Sequence, residues 1–200
     1  MSEGTFGNPE IIDIETDILI VGGGMAACGA AYEAKRWAPD DLKITLVDKA
    51  AMDRSGAVAM GLSAINTYLG DNTPEDYCRM VSADLMGITR DDLVYDVGRH
   101  VDGTVHLFEE WGLPIWKQKE TEGVPLAEGG KPVRSGKWQI MINGEGYKPI
   151  VAEAAKKALG IENIMERVFI VKYLLDENEP NRIAGAVGMS VRENKLYVFK

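Results

Sequence analysis

The sequence predicts an α/β fold, a parallel sheet with helices and a small β-meander. Three observations predict it. An apolar run, Ile18-Leu19-Ile20-Val21, leads straight into Gly22-Gly23-Gly24 and Met25. After an alanine-rich segment, a second apolar run, Ile44-Thr45-Leu46-Val47, ends in Asp48. Towards the other end, short β-branched runs alternate with turn residues, as in hairpins. Strand, glycine turn, helix, strand and acid, in that order, form the arrangement that holds the pyrophosphate of a dinucleotide, a Rossmann-like βαβ unit.

Met1 to Glu15 is polar, is interrupted by Gly7 and Pro9, and reads as a tail or an edge-lying arm. Thr16 to Val21 is the first strand, nearly continuous in apolar residues as a strand covered on both faces should be. Met25 to Trp37 is an alanine-rich helix ended by Pro39-Asp40-Asp41, and Lys43 to Val47 is the second strand. From Ala50 to Tyr68 small residues dominate and no charge falls between Arg54 and Asp71, so this backbone is expected to lie against something flat and large. Thr73 to Met86 reads as a helix with Thr73 as N-cap, Pro74 in the first turn and Asp76 at the third position. Asp91 to Trp111 reads as another, with an apolar stripe at Leu93, Val97, Val101, Val105 and Phe108, weakened by Gly98 and Gly103 and ended by Gly112. Pro114 to Gly146 is loop-rich, with Lys117 to Lys131 as a surface excursion and Trp138 to Ile142 as a short strand. Pro149 to Leu159 is a helix closed by Gly160. Strands follow at Glu166 to Val171, Ile183 to Val191 and Leu196 to Phe199. The chain stops just after this last apolar strand, which predicts a fragment of a larger domain.

The chain has 200 residues, of which 46% are hydrophobic, ample for a core. Its formal net charge of −9 is spread along the length and argues against nucleic-acid binding, which needs a basic face. Two isolated cysteines, Cys28 and Cys78, cannot hold zinc or an iron–sulfur cluster alone. No apolar run approaches membrane-spanning length and no basic-then-apolar leader opens the chain, so the expectation is a reducing, cytoplasmic compartment. In the glycine turn, Gly22 permits the bend and Gly24 lets backbone approach phosphate. The N–H groups at the helix start and the positive end of its dipole face the anion. Asp48 is placed to accept hydrogen bonds from ribose hydroxyls. Ala27 stands at the third fingerprint position, where alanine is a known variant of glycine.

Beyond the glycine turn, Val47-Asp48-Lys49 and Arg54-Ser55-Gly56 resemble the flavoprotein subunits of the fumarate reductase and succinate dehydrogenase superfamily. RSGAVAMGLSAINTY at 54–68, RHVDGTVHLFEEWGLPIW at 99–116 and WQIMINGEGYKPI at 138–150 are similar to its adenylylsulfate reductase alpha-subunit branch. The resemblance implies a Rossmann-like FAD-binding domain over residues 16–200, N-terminal part only. It carries a helical insertion at about 73–160, and the capping domain and the catalytic arginine and histidine lie beyond residue 200. It implies FAD, a ferredoxin-like iron–sulfur beta subunit, and reduction of adenylyl sulfate to sulfite and AMP, or the reverse. Gly22, Gly24 and the amides of Met25 and Ala26 match the pyrophosphate cradle. Asp48 matches the ribose acid, usually glutamate in relatives, and Lys49 the adenosine half. Ser55, Gly56 and Ala57 match the stretch along the flavin. Gly56 stands where a histidine bonds the flavin covalently in succinate dehydrogenases, so non-covalent FAD is implied. Leu62, Ser63 and Asn66 match positions beside the isoalloxazine ring, with Asn66 as the catalytic candidate. Val168 matches the strand whose main chain meets the adenine. Ser135 stands where some relatives carry a glutamate.

Other residues have plainer readings. His100 and His106 read as surface or packing histidines, and Trp111, Trp116 and Trp138 as core or interface. Met60 and Met141 read as core. Asp91-Asp92 and Glu109-Glu110 read as a helix start and a solvated face. An amide such as Asn66 set among small apolar residues needs a partner, for which the flavin is the candidate. Two alternatives remain: another flavoprotein of the same superfamily, fumarate-reducing or aspartate-oxidising, or an NAD-binding module with no redox centre of its own.

Overall fold

A computed structural model describes residues 7–62, 64–68, 72–114, 138–142 and 144–200. Ser63, Trp116, the 117–131 excursion and Ser135 lie outside them. The chain divides into two compact units, residues 1–59 with 151–200, and residues 60–150.

The first unit contains two sheets. β1 (Glu10–Ile14) lies within the stretch expected to be a tail or edge-lying arm; it is the edge of a four-stranded sheet ordered β1-β9-β8-β7. β2 (Ile18–Val21), α1 (Met25–Trp37) and β3 (Ile44–Asp48) form the βαβ unit. β2 and β3 pair in parallel, Ile18 opposite Ile44 through Val21 opposite Val47. All five residues of β3 are buried, as its apolar run requires.

In the second unit, β4 (Ala64–Asn66) pairs antiparallel with β5 (Gln139–Met141). α2 (Pro74–Asp84) starts with a complete capping box. The Thr73 hydroxyl accepts from the Asp76 N–H at 3.3 Å, and the Asp76 carboxylate accepts from the Thr73 N–H at 2.9 Å. That backbone bond, with the Thr73 hydroxyl, holds the Asp76 carboxyl below its ordinary 3.8. α3 (Asp91–Glu110) buries Gly98, Val101, Val105 and Phe108, whereas Leu93 and Val97 are more than half exposed. Val101, Val105 and Phe108 of the expected stripe are buried; its first steps, of four residues each, drift about 40° per step around a 3.6-residue helix and leave Leu93 and Val97 outside. The buried stripe alternates steps of three and four. Gly98, taken from sequence as a weak point, is a contact: a side chain there would meet the Tyr77 ring at 3.1 Å.

α4 (Tyr147–Leu159) begins two residues before Pro149 and ends at Gly160, whose φ is 83°. The single strand expected over Glu166 to Val171 is two strands in two different sheets. β6 (Ile164–Glu166) pairs in parallel with β3, and β7 (Val168–Leu175) belongs to the four-stranded sheet. Arg167, at φ 64°, turns the chain between them. A non-glycine residue in this conformation is uncommon and leaves no mark in composition. β8 (Ile183–Ser190) and β9 (Lys195–Phe199) complete an antiparallel meander, and β1 pairs in parallel with β9.

Val47 from the parallel sheet packs with Val168, Ala186 and Phe199 of the meander in one buried cluster. Phe199 is fully buried there. Phe199→Ala is therefore expected to lower stability by about 3–5 kcal/mol, as large-to-small changes of a buried aromatic do. Urea denaturation followed by circular dichroism reads this directly.

Candidate dinucleotide site

The three parallel strands end together. Val21, Asp48 and Glu166 are their last residues, and Asp48 and Glu166 are register partners. Ligands of open α/β sheets bind outside such carboxyl ends. The Gly22 N–H donates to the Val47 carbonyl at 2.7 Å, carrying the ladder one residue past β2, and its φ of 115° starts the turn. Gly23 is buried, and a Cβ built on it would lie 2.7 Å from Asp48 Cγ, Asp48 Oδ2 and Met52 Cβ. No side chain fits there. Gly24, the N-cap of α1, is extended, with nothing within 4 Å of an added Cβ.

The two ends of α1 differ in a way that suits an anion. Gly24 has no side chain with which to cap the helix and the first turn has no acidic residue, while Lys35 and Arg36 occupy the last turn. The first turns of α2 and α3 each hold two carboxylates. The mouth of α1 thus presents the positive end of a helix dipole to open space, with Gly24, Met25 and Ala26 exposed.

Asp48 is 7% exposed and accepts a hydrogen bond from Ser55 Oγ at 3.3 Å. The structure brings Gly22, Gly24, Asp48 and Ser55 to the carboxyl ends of β2 and β3. Lys49 is exposed, its Nζ 5.9 Å from the centroid of the Phe169 ring. Gly56 has a φ of 88°, and Ala57 opens a 3-10 turn running to Met60. Val168 is 4% exposed in the core cluster, and it pairs with Ser190 across the β7–β8 ladder.

Leu62 and Asn66 belong to the second unit. Asn66 does not show the burial expected from its small apolar neighbours. The residue is exposed, and its Oδ1 accepts from the Tyr77 hydroxyl at 2.6 Å. Burial pushes the Tyr77 phenol above its ordinary 10.0. Met60, read as core, is 92% exposed at the end of its 3-10 turn. Both histidines are exposed, and His106 lies 3.1 Å from Glu109 and 3.6 Å from Asp102. Trp111 packs against Phe108, with ring centroids 5.5 Å apart. No cluster of metal-ligating side chains occurs among the described residues, and no helix among them is long and apolar enough to cross a membrane.

Sequence reasoning missed three residues of the site. Gly23 is the most crowded glycine of the turn, yet three consecutive glycines carry no signal of which one is crowded. Met52, fully buried, forms part of the floor beneath Gly23. Glu166 accepts a hydrogen bond from the Met52 N–H at 2.7 Å across 114 residues of chain, a separation no local pattern can report.

An uncapped helix mouth behind a glycine turn, with a buried acid at the end of the next parallel strand, defines a dinucleotide-binding α/β domain. The family model described as FAD binding domain matches residues 17–195, and the chain belongs to that family. It is 62% identical over 206 aligned positions to the adenylylsulfate reductase subunit alpha of Megalodesulfovibrio gigas, a match covering 96% of this chain and 31% of that protein. The solved adenylylsulfate reductase of Archaeoglobus fulgidus is 62% identical, with a TM-score of 0.85, over 96% of this chain and 30% of that one. A structure described as adenosine-5-phosphosulfate reductase in complex with sulfite, as a covalent adduct, matches with the same figures. The quinol fumarate reductase of E. coli shares the fold, at 20% identity and a TM-score of 0.69. The chain thus spans about a third of the length of these relatives.

The cradle fits FAD by its open mouth, its uncapped helix and its buried acid. Two neighbouring glycines should separate the roles of space and support. Gly24→Ala is expected to leave the fold intact, because a methyl group there meets no protein atom, and to weaken FAD binding about tenfold or more. Gly23→Ala drives a methyl group into Asp48 and Met52 and lowers stability by about 1–3 kcal/mol. Flavin titration and denaturant unfolding of both variants check the contrast.

Proposed function

We propose that this chain is the FAD-binding part of an adenylylsulfate reductase alpha subunit. The reaction is the two-electron reduction of adenylyl sulfate to sulfite and AMP, or its reverse. Electrons are exchanged through a ferredoxin-like iron–sulfur partner subunit, and the compartment is the cytoplasm. The likeness to adenylylsulfate reductase alpha subunits along nearly the whole chain carries the reading.

Bound FAD supplies the redox chemistry, and the protein's part is to place it. The amides of Met25 and Ala26, with the backbone of Gly22 and Gly24, hold the diphosphate. Asp48 takes the ribose hydroxyls, its orientation kept by the Ser55 hydroxyl. Lys49 serves the adenosine half, and the main chain at Val168 serves the adenine. Ser55, Gly56 and Ala57 are assigned to the flavin chain, and Leu62, Ser63 and Asn66 to the ring, by the likeness to flavoproteins of this family. Asn66 presents its amide to flavin or substrate while Tyr77 orients it. The FAD is non-covalent. At φ 88°, Gly56 occupies a conformation that a histidine side chain would strain, which supports this reading.

The test uses the full polypeptide with its partner subunit. Sulfite and AMP together are expected to drive ferricyanide reduction, and neither alone should do so. Turnover of fumarate or succinate instead would move the protein to another branch of the superfamily. Colourless protein that takes up no flavin would end the redox reading altogether.

A further inference from the structure

Glu166 is exposed, and it ends β6 directly beside Asp48. Its Oε1 accepts the Met52 N–H at 2.7 Å. Two residues earlier in the same loop, the Ala50 carbonyl accepts the Arg167 N–H at 3.3 Å. The loop that follows β3 is thus pinned twice to the junction of β6 and β7. That junction is itself held, because the Arg167 carbonyl accepts the Val191 N–H at 2.9 Å and the backbone turns there through a left-handed residue. Downstream, the pinned loop delivers two groups to the cradle. The Met52 side chain, fully buried, sits where it forbids any side chain at Gly23. The Ser55 hydroxyl reaches Asp48 at 3.3 Å.

We propose that Glu166 is a positioning residue of the cofactor site: by fastening the Met52 amide it holds the 50–55 loop, and through that loop the glycine turn and Asp48, in the arrangement that receives the diphosphate and ribose of FAD. The inference rests on FAD being the ligand and adds a role for a carboxylate that is bonded to the Met52 backbone. A carboxylate accepting a backbone N–H is among the stronger hydrogen bonds in proteins, and here it joins segments far apart in the chain. Small misplacements of a binding cradle have large effects on affinity, so the effect should appear in cofactor binding beyond any change in fold stability.

The experiment measures the FAD dissociation constant of the full polypeptide by quenching of flavin fluorescence, for wild type, Glu166→Gln, Glu166→Asp and Glu166→Ala. Binding is measured well below the melting temperature of each apoprotein. Glutamine keeps an acceptor oxygen at the same reach without the charge, and should bind FAD within about threefold of wild type. Aspartate withdraws the acceptor by one methylene and alanine removes it, and each should weaken binding about tenfold or more. Amide hydrogen exchange at Met52 should stay slow in wild type and Glu166→Gln and become fast in the other two. If Glu166→Ala does not fold, the Gln–Asp pair decides the matter. Equal FAD affinities for all folded variants, whether or not their melting temperatures fall, would overturn the proposal and leave FAD binding itself untouched. A wild-type chain that binds no FAD would instead end the reading on which the proposal rests.

Discussion

At Gly23 the backbone passes so close to Asp48 and Met52 that no side chain can be accommodated, and the cradle is organised around this crowding. The tight approach brings the acid at the end of β3 against the turn that ends β2. It also leaves the next residue, Gly24, facing open space as the N-cap of α1. Crowding behind and emptiness in front are two sides of one arrangement.

Helices in this chain treat their first turns differently, and the difference follows from local sequence. α2 is closed on itself, with Thr73 and Asp76 satisfying each other's backbone donors and Pro74 occupying a position that needs none. α1 begins with glycine, methionine and alanine, none of which can return a side-chain oxygen to the turn. Its charge pattern is also one-sided: Lys35 and Arg36 offset the negative pole at the far end, while no acidic residue offsets the positive pole at the near end.

Much of this was legible in the sequence. Met25 to Trp37 was readable to the residue, because the glycine turn and the proline after it are unambiguous punctuation. The capping box of α2 was readable from Thr73, Pro74 and Asp76. The βαβ order and Asp48 at the end of its second strand were readable for the same reason. What escaped notice depends on contacts between distant residues. The split of Glu166 to Val171 into two sheets hangs on the left-handed Arg167, which looks from sequence like any strand residue. The stripe of α3 holds at Val101, Val105 and Phe108 and fails at Leu93 and Val97, because repeated steps of four drift off the buried face of a helix that needs alternating threes and fours. Asn66 lies among small apolar neighbours in sequence, yet it is exposed and already bonded to Tyr77, and neighbours in sequence do not measure burial.

The claim that carries most weight is that the backbone amides at the mouth of α1 hold the diphosphate of FAD. Amide NMR of the labelled chain, with and without FAD, tests it most directly. The account predicts that the Gly24, Met25 and Ala26 resonances move strongly on addition of FAD and that AMP alone reproduces only part of the change. Bound flavin that leaves those three amides where they were would contradict it.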